Sequence, residues 1–155
     1  MTKKQIQQKL IIDTDPGIDD AMAIHYAFAH PGLDVLGLTT IFGNVFVPQA
    51  TRNALLLSEK AHYCVDVAEG AAKPLVQSLN PPSHHVHGAE GFGDVPVKQP
   101  YGTQVEISAA DYIVKKCRQH SGEVILCPVG PLTNIAAALK ADPELVNHVQ
   151  KVVIM

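Results

Sequence analysis

Four carboxylates fall within eight residues in the run Asp13-Thr14-Asp15-Pro16-Gly17-Ile18-Asp19-Asp20. One or two acidic residues there would serve simply to cap a helix and sit at the positive end of its dipole. Four held this close repel one another unless some are protonated or a cation bridges them. Oxygen-only donors favour a hard ion, Ca²⁺ or Mg²⁺, over zinc. The run is not a twelve-residue EF-hand loop, because Gly17 is misplaced for one and no Glu closes it. Two chemistries remain open. Asp13 of Asp13-Thr14-Asp15 could act as a nucleophile towards a phosphoryl group, or one Asp could bind an ion and take the proton of an attacking water.

Other groups could join such a site. Asn44 follows Gly43 at the end of an apolar run, and is equally readable as a turn residue or a ligand. Thr133 and Asn134 stand where a helix cap is expected. His84, His85 and His87 are three histidines within four residues, in a proline-rich stretch with no cysteine nearby, which disfavours a zinc site. A loop carrying His87, made movable by Gly88, Gly91 and Gly93, could instead close over a substrate. His25 reads as structural or solvated. Cys64, Cys117 and Cys127 are odd in number and form no CxxC pair, so they read as buried thiols.

These groups need elements to hold them. The pattern alternates short apolar runs with helical periodicity: strands over Leu10–Asp13, Val35–Phe42, Tyr63–Val67 and Glu123–Pro128, and an apolar run over Lys151–Met155. Helices are expected over Asp19–Ala29, Pro48–His62, Ser108–His120 and Leu132–Lys140, with a short one from Pro143. Gly70–Gly102, interrupted by five prolines, reads as a long functional loop. Strands alternating with helices predict one α/β domain over 1–155, with a mostly parallel sheet covered by helices on both faces. Ligands then bind beyond the carboxyl ends of the strands, where Asp13–Asp20 begins.

Composition removes several classes. Hydrophobic residues make up 46% and charged residues 17%, enough apolar matter for a core. The net charge of −3 and the absence of Trp argue against a nucleic-acid binder built on a basic or base-stacking face. No apolar run is long enough to cross a bilayer. Lys3 and Lys4 are followed by glutamines with only Ile6 between them, so no signal segment is visible and a cytoplasmic location is expected.

The string IIDTDPGIDDAMAI strongly resembles the opening motif of the inosine-uridine-preferring nucleoside hydrolases. TTIFGN at Thr39–Asn44, HVHGAEGFGDV at His85–Val95 and CPVGPLTNIAAAL at Cys127–Leu139 resemble three further motifs of that family, in its order. The other pattern weighed, the haloacid-dehalogenase type of phosphatase, matches Asp13-Thr14-Asp15 but not the Pro16-Gly17 and Asp19-Asp20 that follow.

The resemblance implies a Rossmann-like core and calcium-dependent hydrolysis of the N-glycosidic bond of ribonucleosides, giving ribose and free base. It implies that Asp15 is both a calcium ligand and the general base, and that Asp20 and the backbone carbonyl of Thr133 are further calcium ligands. Asp19 would hold the ribose 2′-hydroxyl, Asn44 would reach the ribose or the water, and Asp13 would orient the site from behind. His87 would contact or protonate the leaving base. Homo-oligomers are common in the family. Its members also carry a second half with further ribose and calcium contacts, so the expectation is that this chain is an N-terminal portion, truncated at its C-terminus. Alone it would bind calcium weakly and turn over little, or persist as a non-catalytic remnant that associates through an open sheet edge.

Overall fold

The structure is a computed structural model, and it describes residues 7–155. The reading of Lys3, Lys4 and Ile6 lies outside the described residues. Five parallel strands form one sheet: β1 (Gln8–Thr14), β2 (Leu33–Thr40), β3 (Asp66–Glu69), β4 (Val124–Pro128) and β5 (Val149–Val152). Their spatial order is β3-β2-β1-β4-β5. The helices are α1 (Ile18–Ala29), α2 (Val47–Ala61), α3 (His84–His87), α4 (Ala109–Gln119) and α5 (Thr133–Ala141), followed by a 3-10 turn at Pro143–Asn147. None of the described helices is long and apolar enough to cross a membrane.

Side chains alternate across a strand, and β1 uses this to join two cores. Leu10 and Ile12 pack on one face with Ile24 and Ala27 of α1 and Ala54, Leu55 and Leu57 of α2. Ile11 points the other way, to Ala109, Tyr112, Ile113 and Cys117 of α4 and Ala138 of α5. A central parallel strand is buried on both sides, which explains why β1 reads as an unbroken apolar run up to its aspartates.

The chain builds outward from β1 through β2 to β3, then crosses back to add β4 and β5 on the opposite side. The reversal leaves a crevice beyond the carboxyl ends of β1 and β4, the usual ligand site of such sheets. Asp13 sits in register with Thr39 of β2 and Pro128 of β4, so the acidic run opens into that crevice.

Several boundaries differ from the sequence expectation. β2 stops at Thr40, because the chain folds over the end of β1, the Ile41 amide donating to the Thr14 carbonyl (3.0 Å). β3 starts at Asp66, not Tyr63: His62 ends α2 in the left-handed conformation, and the Tyr63 ring stacks on Phe28 at 4.2 Å. Cys64, expected to be buried, is exposed on this connection, whereas Cys117 is buried and Cys127 half-buried. The last strand runs over Val149–Val152, leaving residues 153–155 beyond it. The long 70–102 segment carries one helical turn, α3, which proline content had hidden.

One packing feature sets the spacing of α4 from the sheet. The Tyr112 hydroxyl donates to the Leu36 carbonyl (2.6 Å) and lies 3.1 Å from the Asp66 carboxylate. A Cβ on Gly37 would overlap that hydroxyl. Tyr112→Phe is expected to cost about 1 kcal/mol, the worth of one intramolecular hydrogen bond. Gly37→Ala, which must push the ring out of the core, is expected to cost more. Urea unfolding of both variants checks the order, and an equal or reversed order would contradict this account.

Candidate active site

Asp15 follows β1 directly, and its side chain is 4% exposed. Its Oδ2 accepts the backbone N–H of Asn44 at 2.6 Å, while its Oδ1 is buried with no hydrogen-bond partner among the described residues. Burial pushes its pKa up to about 7, with the neighbouring Asp20 and Asp13 charges adding to the rise. Two glycines make room for this carboxylate. A Cβ on Gly43 would overlap Oδ2, and one on Gly130 would overlap Oδ1. Gly43 belongs to the turn after β2 and Gly130 to the turn after β4, so three segments close around one side chain.

Asp20, in the first turn of α1, is also buried, but its oxygens are fully engaged. Oδ1 accepts from the Thr14 hydroxyl (2.6 Å), and Oδ2 accepts from the Gly17 N–H (3.1 Å) and the Asn44 side-chain amide (3.0 Å). Asn44 therefore spans the two carboxylates, with its backbone on Asp15 and its side chain on Asp20. Both contacts use Asn44 as a donor, and the residue lines the cavity described below.

Asp13 lies behind Asp15 and is 1% exposed. Its Oδ1 accepts from the Thr39 hydroxyl (2.6 Å) and the Asn134 amide (2.8 Å), whereas Oδ2 has no partner among the described residues. Burial raises its pKa to about 6, against the lowering effect of those two hydrogen bonds. Asn134 had been readable as a helix cap. Instead it points inward, donating to the Thr40 carbonyl (2.9 Å) as well as to Asp13 and accepting the Ala71 N–H (2.9 Å). Its side chain thus joins the ends of β1 and β2 to the start of the 70–102 segment. The only sequence signal for it was a polar amide one position inside a helix.

A cavity of about 720 Å³ opens over this cluster, within the usual range for small-molecule sites. Asp15, Gly43, Asn44, Pro131 and Thr133 line one side, and residues 74–77, 80, 81 and 83 line the other. Thr133, the first residue of α5, faces the same space as Asp15. The structure brings Asp13, Asp15, Asp20, Asn44 and Thr133 together. Asp19 and His87 stand apart from the cavity lining.

Asp19 is on the exposed side of the first α1 turn. His87 is buried, 8% exposed, and its Nδ1 accepts the Ile18 N–H at 3.3 Å and lies 3.7 Å from Asp19. A Cβ on Gly17 would meet the His87 ring at 2.6 Å, so that glycine is needed to seat it. In this conformation the Gly93 N–H donates to the His87 carbonyl within the loop, and the Gln49 amide donates from α2 to the Ala89 carbonyl. His84 and His85 are exposed.

The ligand set for a cation can be tested on these atoms. Among the described residues, no three His, Cys, Asp or Glu side chains converge on one point. Of the ligands that the family resemblance implies, Asp15 and Thr133 line the cavity and Asp20 lies behind Asn44. The unpartnered Oδ1 of Asp15, buried in a cradle that two glycines keep open, is what a hard cation would satisfy. The Asp15 oxygen suits such an ion, whereas Asp20 would have to exchange one of its present hydrogen bonds to join it.

Comparison with known proteins is consistent with this arrangement. The family described as "Inosine-uridine preferring nucleoside hydrolase" matches residues 10–155. Uridine nucleosidase 1 of Arabidopsis thaliana is 50% identical over 149 residues, covering 96% of this chain and 44% of its own. The inosine-uridine preferring nucleoside hydrolase of Leishmania major is 39% identical, with 96% and 48% covered. Among solved structures, a plant nucleoside hydrolase superposes with a TM-score of 0.90 at 44% identity, covering 95% of this chain and 47% of its own. A purine-preferring ribonucleoside hydrolase from Gardnerella vaginalis gives 0.91 at 35% identity, with 96% and 48% covered. The chain spans about half the length of the relatives it matches.

Proposed function

The chain belongs to the inosine-uridine preferring nucleoside hydrolase family, and from that premise we propose that it carries the water-activating part of a site that hydrolyses the N-glycosidic bond of ribonucleosides. The observation that carries the reading is the Asp15 Oδ1, buried, unpartnered and lining the cavity. In the metal-free chain burial raises the Asp15 carboxylate to about 7, so it can exchange protons near neutrality, and a bound cation would lower that value.

In this reading Asp15, Asp20 and the Thr133 carbonyl hold a calcium ion, which would supply Lewis-acid polarisation of the attacking water. Asp15 does the rest of the work at that end of the site. Its Oδ2 is held by the Asn44 N–H, and the carboxylate takes the water's proton as the water oxygen bonds to the anomeric carbon and the base leaves with the electron pair of the C–N bond. The sugar becomes cation-like as the base departs, and the carboxylates around it stabilise that charge more than they stabilise the ground state. Asn44 keeps Asp15 and Asp20 in one orientation and offers its own carbonyl oxygen to the ribose or the water. Asp19 would take the ribose 2′-hydroxyl. His87, if it meets the leaving base, must leave its seat on Gly17 or be approached there. Names of relatives make uridine the first substrate to try and inosine the second.

The phosphatase alternative requires Asp13 to attack a phosphoryl group. Asp13 is 1% exposed, is held from β2 and α5, and lines no part of the cavity. Purified chain incubated with uridine or inosine should release free base, even slowly, in a calcium-dependent manner. Phosphate-ester cleavage with a phosphoryl adduct on Asp13, and no base release, would replace this reading by the other.

A further inference from the structure

Asn53 lies within α2, away from the cavity, and its side chain is completely buried. A buried amide must satisfy its donors, and Asn53 does so across two other segments. Its Nδ2 donates to the Pro16 carbonyl at 3.1 Å and to the Glu90 carbonyl at 2.9 Å. Pro16 stands between Asp15 and Gly17 in the acidic turn. Glu90 follows His87 by three residues. The amide is oriented from the other end, because its Oδ1 accepts from Arg52 Nε (3.2 Å) and Nη2 (2.9 Å). Arg52 in turn pairs with the Glu90 carboxylate (2.5 Å) and donates to the Glu90 carbonyl (3.2 Å).

The packing leaves no slack at this junction. Gly91 has a φ of +91°, and a Cβ there would lie 2.7 Å from Asn53 Nδ2 and 2.8 Å from the Pro16 carbonyl. The acidic turn and the His87 loop also meet where the His87 ring lies against Gly17 and Ile18. One amide therefore holds two segments at a fixed separation on one side, and the imidazole seat closes them on the other.

We propose that Asn53 is a positioning residue that fixes the spacing between the turn bearing Asp15, Asp19 and Asp20 and the loop bearing His87. What that spacing serves rests on the hydrolase reading above; the clamp itself does not. Asn53→Asp keeps the size but removes both donors and sets a carboxylate against two carbonyl oxygens. The two segments should then separate without loss of the sheet.

The test uses the intact chain and compares Asn53→Asp with wild type by amide hydrogen exchange and by ¹⁵N spectra of the His87 ring, with urea unfolding as the control of fold. Exchange at Ile18 and Gly93 is expected to rise about tenfold or more, as one buried hydrogen-bonded junction opens. Exchange at Ile11 and Ile12 should follow only the change in global stability. The His87 signals should lose the pattern of an Nδ1 that accepts a hydrogen bond. Any base release from uridine should fall in kcat rather than rise in KM. Unchanged Ile18, Gly93 and His87 signals in a folded variant would overturn the proposal. So would a uniform rise across all amides, which a purely structural role would give. Should Asn53→Asp fail to fold, Arg52→Gln, which releases the amide together with the Glu90 ion pair, is compared with Glu90→Gln, which releases the ion pair alone: the same signals should change about threefold more in the first, and equal changes would overturn the proposal. A wild-type chain that neither binds calcium nor releases base would defeat the hydrolase reading, while the exchange result would still stand or fall by itself.

Discussion

Asp15→Asn is expected to cut base release from uridine about 10²–10⁴-fold, the usual contribution of a positioned general base. The substitution also removes a carboxylate proposed to hold calcium, so the variant should lose the calcium-dependent gain in thermal stability. For the unaltered chain that gain should reach about 2.7 kcal/mol at a calcium concentration one hundred times the dissociation constant. In chelator at pH 8 the same variant should be more stable than wild type, on the order of 2–4 kcal/mol, because a buried charge is replaced by a neutral amide of similar shape. Loss of function with gain of stability separates a catalytic carboxylate from a structural one. A variant that is less stable in chelator, yet still gains from calcium, would remove Asp15 from the role assigned to it.

The second large effect concerns pH. In the metal-free chain Asp13 and Asp15 have pKa values of about 6 and about 7, raised by burial from an ordinary value of 3.8. Below the unfolded value both are protonated in folded and unfolded chains alike, and their neutral burial is at its most favourable. Between that value and the folded ones the unfolded chain has released protons that the folded chain retains, so stability falls as pH rises. The fall should be complete once pH passes through the Asp15 value. A tenfold difference in proton affinity between the folded and unfolded chains is worth about 1.4 kcal/mol, which makes a loss of several kcal/mol between pH 4 and pH 8. Other groups also titrate in this range, so the decisive measurement is the difference between wild type and an Asp13→Asn, Asp15→Asn double variant in chelator. That difference should grow with pH, in favour of the variant, and shrink when calcium is added to wild type. A difference that is flat with pH would contradict the burial of these two carboxylates as the cause.

The parts legible in the sequence were those whose signal is local. Asp13 to Asp20 announce themselves because four charges in one turn need an explanation within that turn. The alternation of apolar runs with helical periodicity was enough to imply a parallel sheet, and the ligand end of such a sheet follows from its construction. What was not legible depends on partners far along the chain. Asp13 receives its hydrogen bonds from Thr39, 26 residues on, and from Asn134, 121 residues on. No spacing rule marks either of them. Tyr63–Val67 looked like a strand throughout because it is apolar, yet Tyr63 and Val65 belong to the packing between α1, α2 and the sheet rather than to the ladder. His87 looked mobile because glycines and prolines surround it. Close approach, which sequence does not reveal, is a further use of glycine here: Gly17 and Gly91 let the ring and the Asn53 amide approach the acidic turn closely.

The place of β1 at the centre of the sheet bears on the order in which this molecule can assemble. β1 emerges first from synthesis among the described strands, can pair early with β2, and then waits until β4 has been made, more than a hundred residues later. Contacts of such long sequence separation must close a large loop before they repay it, and they slow folding. The strand that bears Asp13, and delivers the chain to Asp15, is thus laid down first and enclosed only once β4 has formed. The burial that raises both carboxylates depends on contacts from residues beyond 124.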